Sequence, residues 1–166
     1  IRRILQQLSQ EIARAADILS ENCTILADID LIFARAGLSR DMEAYAPTFN
    51  RAGYVRLQRA RHPLLPKDRV VPIDIELGRD FSVLLITGPN TGGKTVSMKT
   101  LGILALMAQS GCFLPTASGA ELPVYGSIYA DIGDEQSIEQ SLSTFSAHTK
   151  NIVRILQKAE SADLVL

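Results

Sequence analysis

The chain has 166 residues, of which 46% are hydrophobic, and carries a formal net charge of -1 from 17 basic and 18 acidic side chains. A chain of this length and composition buries one substantial hydrophobic core. Its near-zero charge gives no global reason to expect a surface that binds polyanions, although a local basic patch is compatible with it. The apolar runs are far shorter than the roughly 20 residues that cross a bilayer, so no membrane span is expected.

The cysteines indicate a cytoplasmic protein, and the two chain ends indicate a fragment. Cys23 and Cys112 lie far apart, and neither belongs to a CxxC pair. A disulfide framework or a structural zinc site is therefore not expected, and a reducing compartment fits. The chain begins at Ile1 and ends within an apolar run at Leu166 that has the character of a buried strand. We expect a longer parent protein.

The N-terminal part has the pattern of amphipathic helices. Apolar residues recur at helical spacing from Ile1 to Leu19, and a second helix is predicted from about Cys23 to about Ala46, before Pro47. We read these helices as ordinary core-facing helices. The predicted organisation is a helical segment over residues 1–50, followed by a nucleotide-binding domain over residues 51–166.

Short strands and two further helices are predicted in the second part. Ile73, Ile75 and Leu77 alternate with acidic residues, as in a half-exposed strand. Residues 81–86 form a nearly continuous apolar run, which is typical of a central strand covered on both faces. The remaining predicted elements are a helix at 96–109, short strands at 112–115, 120–124 and 127–131, a helix at 146–159 and a terminal strand at Leu164.

The strongest motif is the phosphate-binding pattern G-x-x-x-x-G-K-[ST], which appears as Gly88-Pro-Asn-Thr-Gly-Gly-Lys94-Thr95 between a predicted strand and a predicted helix. Its glycines, Gly88, Gly92 and Gly93, leave room for backbone N–H groups to close around a phosphate. Lys94 is expected to bind the β- and γ-phosphates of ATP, and the Thr95 hydroxyl to bind Mg²⁺. The fold class is therefore α/β, of the P-loop NTPase type.

These motifs resemble those of the MutS family. The loop matches that family's Gly-Pro-Asn-x-Gly-Gly-Lys-[Ser/Thr]. Arg61-His-Pro63 lies upstream of the loop, and Tyr129-Ala-Asp-Ile-Gly133-Asp and Ser143-Thr-Phe145 lie downstream of it, in the family's order. The run from Asp131 to His148 resembles the MutS-two branch rather than the mismatch-repair branch. The resemblance extends over residues 60–166 and is looser over residues 1–59.

The resemblance implies an ATPase domain of the ATP-binding-cassette class with an N-terminal helical annex from the family's core and lever region. It implies a homodimer in which ATP lies between the loop of one copy and Ser143 of the other. Pro89, Asn90, Thr91 and Gly92 would complete the nucleotide contacts, with Asn90 also near the attacking water and Val70 against adenine. For that last contact Val71 is an equally good candidate on physical grounds.

For the parent protein, the resemblance implies ATP-driven work on branched DNA that suppresses homologous recombination, in some members action on stalled ribosomes, and nuclease activity from a separate Smr domain. It places the Walker-B carboxylates directly after Leu166, so this chain is expected to bind ATP or ADP without competent turnover. Two alternatives stay open. One is another ATP-binding cassette, which normally has Leu-Ser-Gly-Gly at the signature, and the other is a nucleotide-gated dimerisation module.

Several residues keep a structural alternative. Ser143 is a candidate N-cap of the last helix as well as a phosphate ligand. His62 and His148 fit either a structural or a nucleotide-contacting role, and no Cys, Asp or Glu clusters around them at metal-ligand spacing. The acidic run Asp131, Asp134, Glu135 and Glu139 fits a solvated loop and helix face as well as a general base.

Overall fold

A computed structural model describes residues 2–89, 92–132 and 141–166, with the side chains of 141–147 left out of the description. The chain divides into two compact units, Ile1–Leu38 and Ser39–Leu166. Within the described ranges, no helix is long and apolar enough to cross a membrane.

The N-terminal helices are α1 at Arg2–Arg14 and α2 at Ala16–Met42, so the second helix starts earlier and ends earlier than predicted. It ends where Glu43 adopts a left-handed backbone with φ of 52°. Neither helix contains a buried residue. The expectation of core-facing helices is therefore wrong for this chain, because the apolar stripes that periodicity detects lie on its surface.

The second unit contains a four-stranded sheet in the order β1-β4-β2-β3. Its strands are β1 at Thr48–Asn50, β2 at Val55–Ala60, β3 at Ile73–Leu77 and β4 at Glu121–Pro123. Strand β1 pairs with β4 in parallel, whereas β2 pairs antiparallel with both β4 and β3. The half-exposed strand predicted around Ile75 is confirmed as β3.

Sequence reasoning missed β1 and β2, although β2 forms the centre of the core. Val55, Leu57 and Ala60 are at most 2% exposed. The alternation of Val55 and Leu57 with arginine and glutamine was the available signal. It breaks down after Leu57, where a register shift begins. In this shift Arg59 has a φ of 51°, and its N–H donates to Asp74 Oδ1 at 2.7 Å.

Helix α3 at Lys94–Gln109 packs one face into this core, with Leu101, Leu104, Ala105 and Ala108 all buried. It begins two residues before the predicted start. At Gly102 the helix passes very close to the chain end, since an added Cβ would lie 2.7 Å from Leu166 Cδ1. Glycine at this position therefore permits the close approach of the C-terminal strand to α3.

A separate parallel pair joins β5 at Ile128–Tyr129 to β6 at Leu164–Val165. Between them runs α4 at Ser141–Lys158, so the helix already includes residues before the predicted start at 146. Asp163 supports the pair, since its Oδ1 accepts from the Ser127 N–H at 2.7 Å and its Oδ2 from the Glu160 N–H at 2.8 Å. The strand predicted at 112–115 is reduced to one isolated bridge, between Tyr45 and Leu114.

The predicted central strand at 81–86 is wrong for this chain, because no described strand pairs with that segment. Val83 is 79% exposed and Leu85 is 82% exposed. The segment lines a groove of about 1130 Å³ together with α3 and residues 161–166. An apolar run predicts burial on both faces, but burial requires a neighbouring strand on each side, and periodicity does not report neighbours.

Gln109 offers a test of the packing between α3 and the β4–β5 connection. Its side chain accepts from the Tyr125 N–H at 2.9 Å and donates to the Tyr125 carbonyl at 3.1 Å. Gln109→Ala leaves both backbone groups of a buried residue without these partners, so we expect a loss of about 2 kcal/mol in the free energy of unfolding. Urea denaturation measures it, with Gln157→Ala on the exposed face of α4 as the control. Equal losses in the two variants would contradict the assignment.

Tyr125 offers a second test, because burial raises its pKa to about 12. Its neutral form is favoured in the folded protein, so the contribution of Tyr125 to the free energy of unfolding is constant below the ordinary tyrosine pKa of about 10 and falls as pH rises from there towards 12. Absorbance titration of the wild-type chain minus that of Tyr125→Phe isolates this residue among four tyrosines. A difference curve with its midpoint near pH 10 would show that Tyr125 is solvated.

Candidate phosphate-binding site

The loop before α3 contains backbone conformations that glycine adopts readily. Gly88 has a φ of 142° and Gly93 a φ of 74°, both outside the range of ordinary residues. Between them the Gly92 N–H donates to the Pro89 carbonyl at 2.9 Å. Asn90 and Thr91 lie outside the described residues, so their predicted phosphate contacts stay predictions. Gly92 itself has no positive φ.

Helix α3 begins at this loop without a side-chain cap. Gly93 is its left-handed N-cap residue. The Gly93 carbonyl accepts from the Ser97 N–H at 2.8 Å and from Ser97 Oγ at 3.0 Å. An uncapped helix start presents N–H donors and a partial positive charge of about half a unit, which together suit a phosphate.

Lys94, the first residue of α3, is half-buried and reaches back across the loop. Its Nζ donates to the Gly88 carbonyl at the other end of the motif. The ammonium group is therefore held at the loop. This arrangement agrees with the predicted role of Lys94 in binding phosphates, and that role itself stays a prediction.

Thr95 follows in the first turn of α3 and is half-buried. Its hydroxyl is a hard oxygen ligand of the kind that Mg²⁺ prefers. Within the described ranges, no group of three or more His, Cys, Asp or Glu residues is placed to hold a metal ion. Binding of Mg²⁺ by Thr95 stays a prediction.

The Arg61-His62-Pro63 segment connects the end of α2 to this region. Arg61 Nη2 donates to the Met42 carbonyl at 2.7 Å and to the Glu43 carbonyl at 3.3 Å. Burial, and secondarily the positive charge of Lys99 on α3, lowers the pKa of His62. His62 Nδ1 accepts from the Leu64 N–H at 3.3 Å.

The adenine contact stays a prediction. Val70 is half-buried in the loop before β3, where its N–H donates to the Pro66 carbonyl at 2.9 Å. The alternative candidate, Val71, is 79% exposed. Either valine offers apolar surface, and no described contact joins one of them to the phosphate loop.

Sequence reasoning did not link Asp131 with His148, which the structure brings together. His148 Nδ1 lies 3.0 Å from Asp131 Oδ1, and Asn151 Nδ2 donates to the same oxygen at 2.9 Å. The hydrogen bonds from Asn151 first, and then from His148, lower the pKa of Asp131. With its side chain only 18% exposed, Asp131 is not part of a solvated face. The other members of the acidic run, Asp134, Glu135 and Glu139, lie outside the described residues.

Ser143 lies within α4, since the structure describes helix from Ser141 onwards. It is therefore not the N-cap residue that sequence reasoning considered. Its side chain lies outside the described part of the chain, and its predicted contact with a γ-phosphate stays a prediction.

Comparison with known families now bears on the loop and helix just described. The family model described as MutS domain V matches residues 84–166. The chain belongs to the MutS family. MutS domain V is an ATPase domain of the P-loop class, which agrees with the mixed α/β architecture and with the recognition of the family from the sequence.

Curated relatives match the chain over its whole length. It is 57% identical over 166 residues to an endonuclease MutS2 of Geobacillus sp. (strain WCH70), covering all of this chain and 21% of the relative. With the same coverage it is 54% identical to a putative endonuclease MutS2 of Bacillus subtilis (strain 168) and 52% identical to an endonuclease MutS2 of Caldicellulosiruptor bescii. The chain thus spans 21% of the length of these relatives, whose names confirm the MutS-two branch.

The hydrogen bonds of the chain's two histidines predict opposite tautomers. His62 Nδ1 accepts a backbone N–H, so its proton resides on Nε2. His148 Nδ1 faces a carboxylate, which only accepts, so its proton resides on Nδ1. Nitrogen-15 NMR at a pH where both rings are neutral distinguishes the forms, and His62→Gln assigns the signals. Two rings in the same tautomer would contradict one of these hydrogen bonds.

Proposed function

We propose that this chain is the ATP-binding part of a MutS2-type ATPase. One observation carries the proposal: the uncapped start of α3 and the Lys94 ammonium group converge on the loop that begins at Gly88. Backbone donors, a helix N-terminus and a fixed cation together suit the β- and γ-phosphates of a nucleotide. The family of the chain supports ATP as that nucleotide.

In this proposal each loop residue has a separate task. Lys94 neutralises phosphate charge and the Thr95 hydroxyl binds Mg²⁺, while Asn90 approaches the γ-phosphate or the attacking water. The glycines and Thr91 supply backbone N–H donors, and Val70 contacts adenine. Mg²⁺, if held by Thr95, would neutralise phosphate charge.

The complete site is proposed to form between two copies. Each ATP would lie between the loop of one copy and Ser143 of the other, as in the ATP-binding-cassette class. The hydroxyl of Ser143 supports this, because a hydroxyl is a hydrogen-bond donor that suits a γ-phosphate. Residues 1–50 would be the helical annex, from the core and lever region, and residues 51–166 part of the ATPase domain.

For the whole protein we propose ATP-driven action on branched DNA in the cytoplasm, suppressing homologous recombination, with the ribosome as a further target. The endonuclease names of the relatives support a nucleic-acid substrate. With a formal charge of -1, this chain has no overall positive field to attract DNA. DNA binding is therefore assigned to other parts of the protein.

We propose that the chain by itself binds ATP without competent turnover. Hydrolysis by P-loop proteins also requires a carboxylate for Mg²⁺ and a group that orients the attacking water. The described residues offer no acidic cluster that could hold the metal. An ATPase rate of the chain equal to that of a full-length relative would contradict this.

Lys94→Ala tests the site directly. It removes a charge-assisted contact worth about 1.5–3 kcal/mol, so we expect the Kd for ATP to rise about tenfold to a hundredfold. Fluorescent ATP, ADP and AMP analogues measure binding, and the effect should be large for ATP and absent for AMP, which lacks the phosphates that Lys94 contacts. Lys158→Ala, at the far end of α4, is the matched control.

Three outcomes would count against the proposal. The first is failure of the wild-type chain to bind ATP. The second is an equal loss of affinity in the two lysine variants, and the third is wild-type affinity for ATP in Lys94→Ala. The last result would show that Lys94 serves only to close the loop through Gly88.

A further inference from the structure

Three polar side chains form a cluster at the carboxyl end of β5, which we call the Asp131 cluster: Asp131, His148 and Asn151. His148 Nδ1 lies 3.0 Å from Asp131 Oδ1 and 3.1 Å from Oδ2. Asn151 Nδ2 lies 2.9 Å from the same Oδ1. His148 and Asn151 are three residues apart in α4 and therefore share one helix face. This face of α4 is directed towards Asp131, which follows β5.

The direction of these hydrogen bonds is fixed by chemistry. An ionised carboxylate only accepts, so both the His148 ring and the Asn151 amide donate to Asp131. The Asp131 N–H in turn donates to the Leu166 carbonyl at 2.8 Å, at the end of the paired β6 segment. The Asp131 cluster thus connects α4 to both strands of the parallel pair. A hydrogen bond to an ionised group is worth about 1.5–3 kcal/mol, about twice a neutral one.

Ile155 and the Asp131 cluster hold two different parts of helix α4. Over residues 148–158, where its side chains are described, Ile155 is the one buried apolar residue, at 4% exposure. Ile152, Val153 and Leu156 are each at least 45% exposed. Among the described side chains of α4, apolar burial is therefore at Ile155, and the Asp131 cluster lies about two turns nearer to Ser143.

We propose that His148, held by Asp131 through Nδ1, is a positioning residue that fixes the first turns of α4 and thereby Ser143. Ser143 precedes His148 by five residues in the same helix, about 7.5 Å along its axis. A helix is stiff over this length, so the orientation of α4 at His148 determines where Ser143 lies. This inference rests on the proposed function, in which Ser143 contacts the nucleotide bound by a second copy.

The test uses three substitutions of one side chain. In His148→Asn the amide nitrogen occupies the δ position, as Nδ1 does, whereas in His148→Gln it occupies the ε position. His148→Ala removes every donor. Because the contact to Asp131 is through Nδ1, the asparagine variant should retain it and the glutamine variant should lose it. Lys150→Ala, an exposed residue of the same helix, is the matched control.

Two measurements report on each variant. Hydrogen exchange of the nucleotide-free chain should speed up about tenfold at amides 145–149 in the alanine and glutamine variants, and remain unchanged at 153–158. Sedimentation with a non-hydrolysable ATP analogue should show dimerisation weakened about tenfold in the same two variants, as in Ser143→Ala, for the loss of about 1.4 kcal/mol. The asparagine and Lys150→Ala variants should stay within about threefold of the wild type in both. Affinity of the monomer for the analogue, measured at a chain concentration too low for dimerisation, should not change, because Ser143 acts on the nucleotide bound by the other copy.

The outcomes separate this inference from the proposed function. If the wild type neither binds the analogue nor dimerises with it, the proposed function fails, and the positioning of Ser143 for catalysis fails with it. If the wild type and Ser143→Ala behave as proposed, but the asparagine and glutamine variants do not differ, the inference alone is overturned. Faster exchange along the whole of α4 would also overturn it, since that would indicate a purely structural role.

Discussion

The packing of α3 against β2 and β4 is the constraint on which the rest of the second unit depends. Leu104, Leu57 and Leu122 are fully buried at this contact. Burying a leucine side chain contributes about 1.5–3 kcal/mol, so this contact makes a large apolar contribution to the unit. It also fixes the axis of α3, and the axis decides where the first-turn N–H groups and Lys94 point. The phosphate site is therefore positioned by a core that contains none of its residues.

Polar contacts then connect the remaining elements to this core. Arg61 donates to the carbonyls of Met42 and Glu43 at the end of α2, where the helix dipole favours a cation. The ion pairs of Glu43 with Arg61 and Lys67 are exposed and contribute little. The hydrogen bonds of Arg61 matter more, because they satisfy carbonyls that the helix leaves unpaired. Arg61 thus has a structural role at the junction between α2 and the sheet.

The motifs were recognisable because the phosphate loop depends on local geometry. Gly93 must adopt a left-handed backbone where the helix begins, and Lys94 must follow it directly. The residue types that the loop needs are therefore adjacent in the sequence. The cluster of Asp131, His148 and Asn151 was not recognisable in this way. Its members are up to 20 positions apart in the sequence. Their spacing does not predict that the end of β5 and one face of α4 come together.

Helix α3, strand β3 and the family were determined by the sequence alone, since periodicity and a fixed-spacing motif are properties of neighbouring residues. Tertiary structure decided the rest. It made β2 the central strand of the core and left residues 81–86 unpaired among the described strands, because burial depends on which neighbours a segment finds. It also turned Asp131 from a member of an acidic run into the acceptor of two side-chain donors from α4. Contacts between distant residues require the folded chain to bring them together.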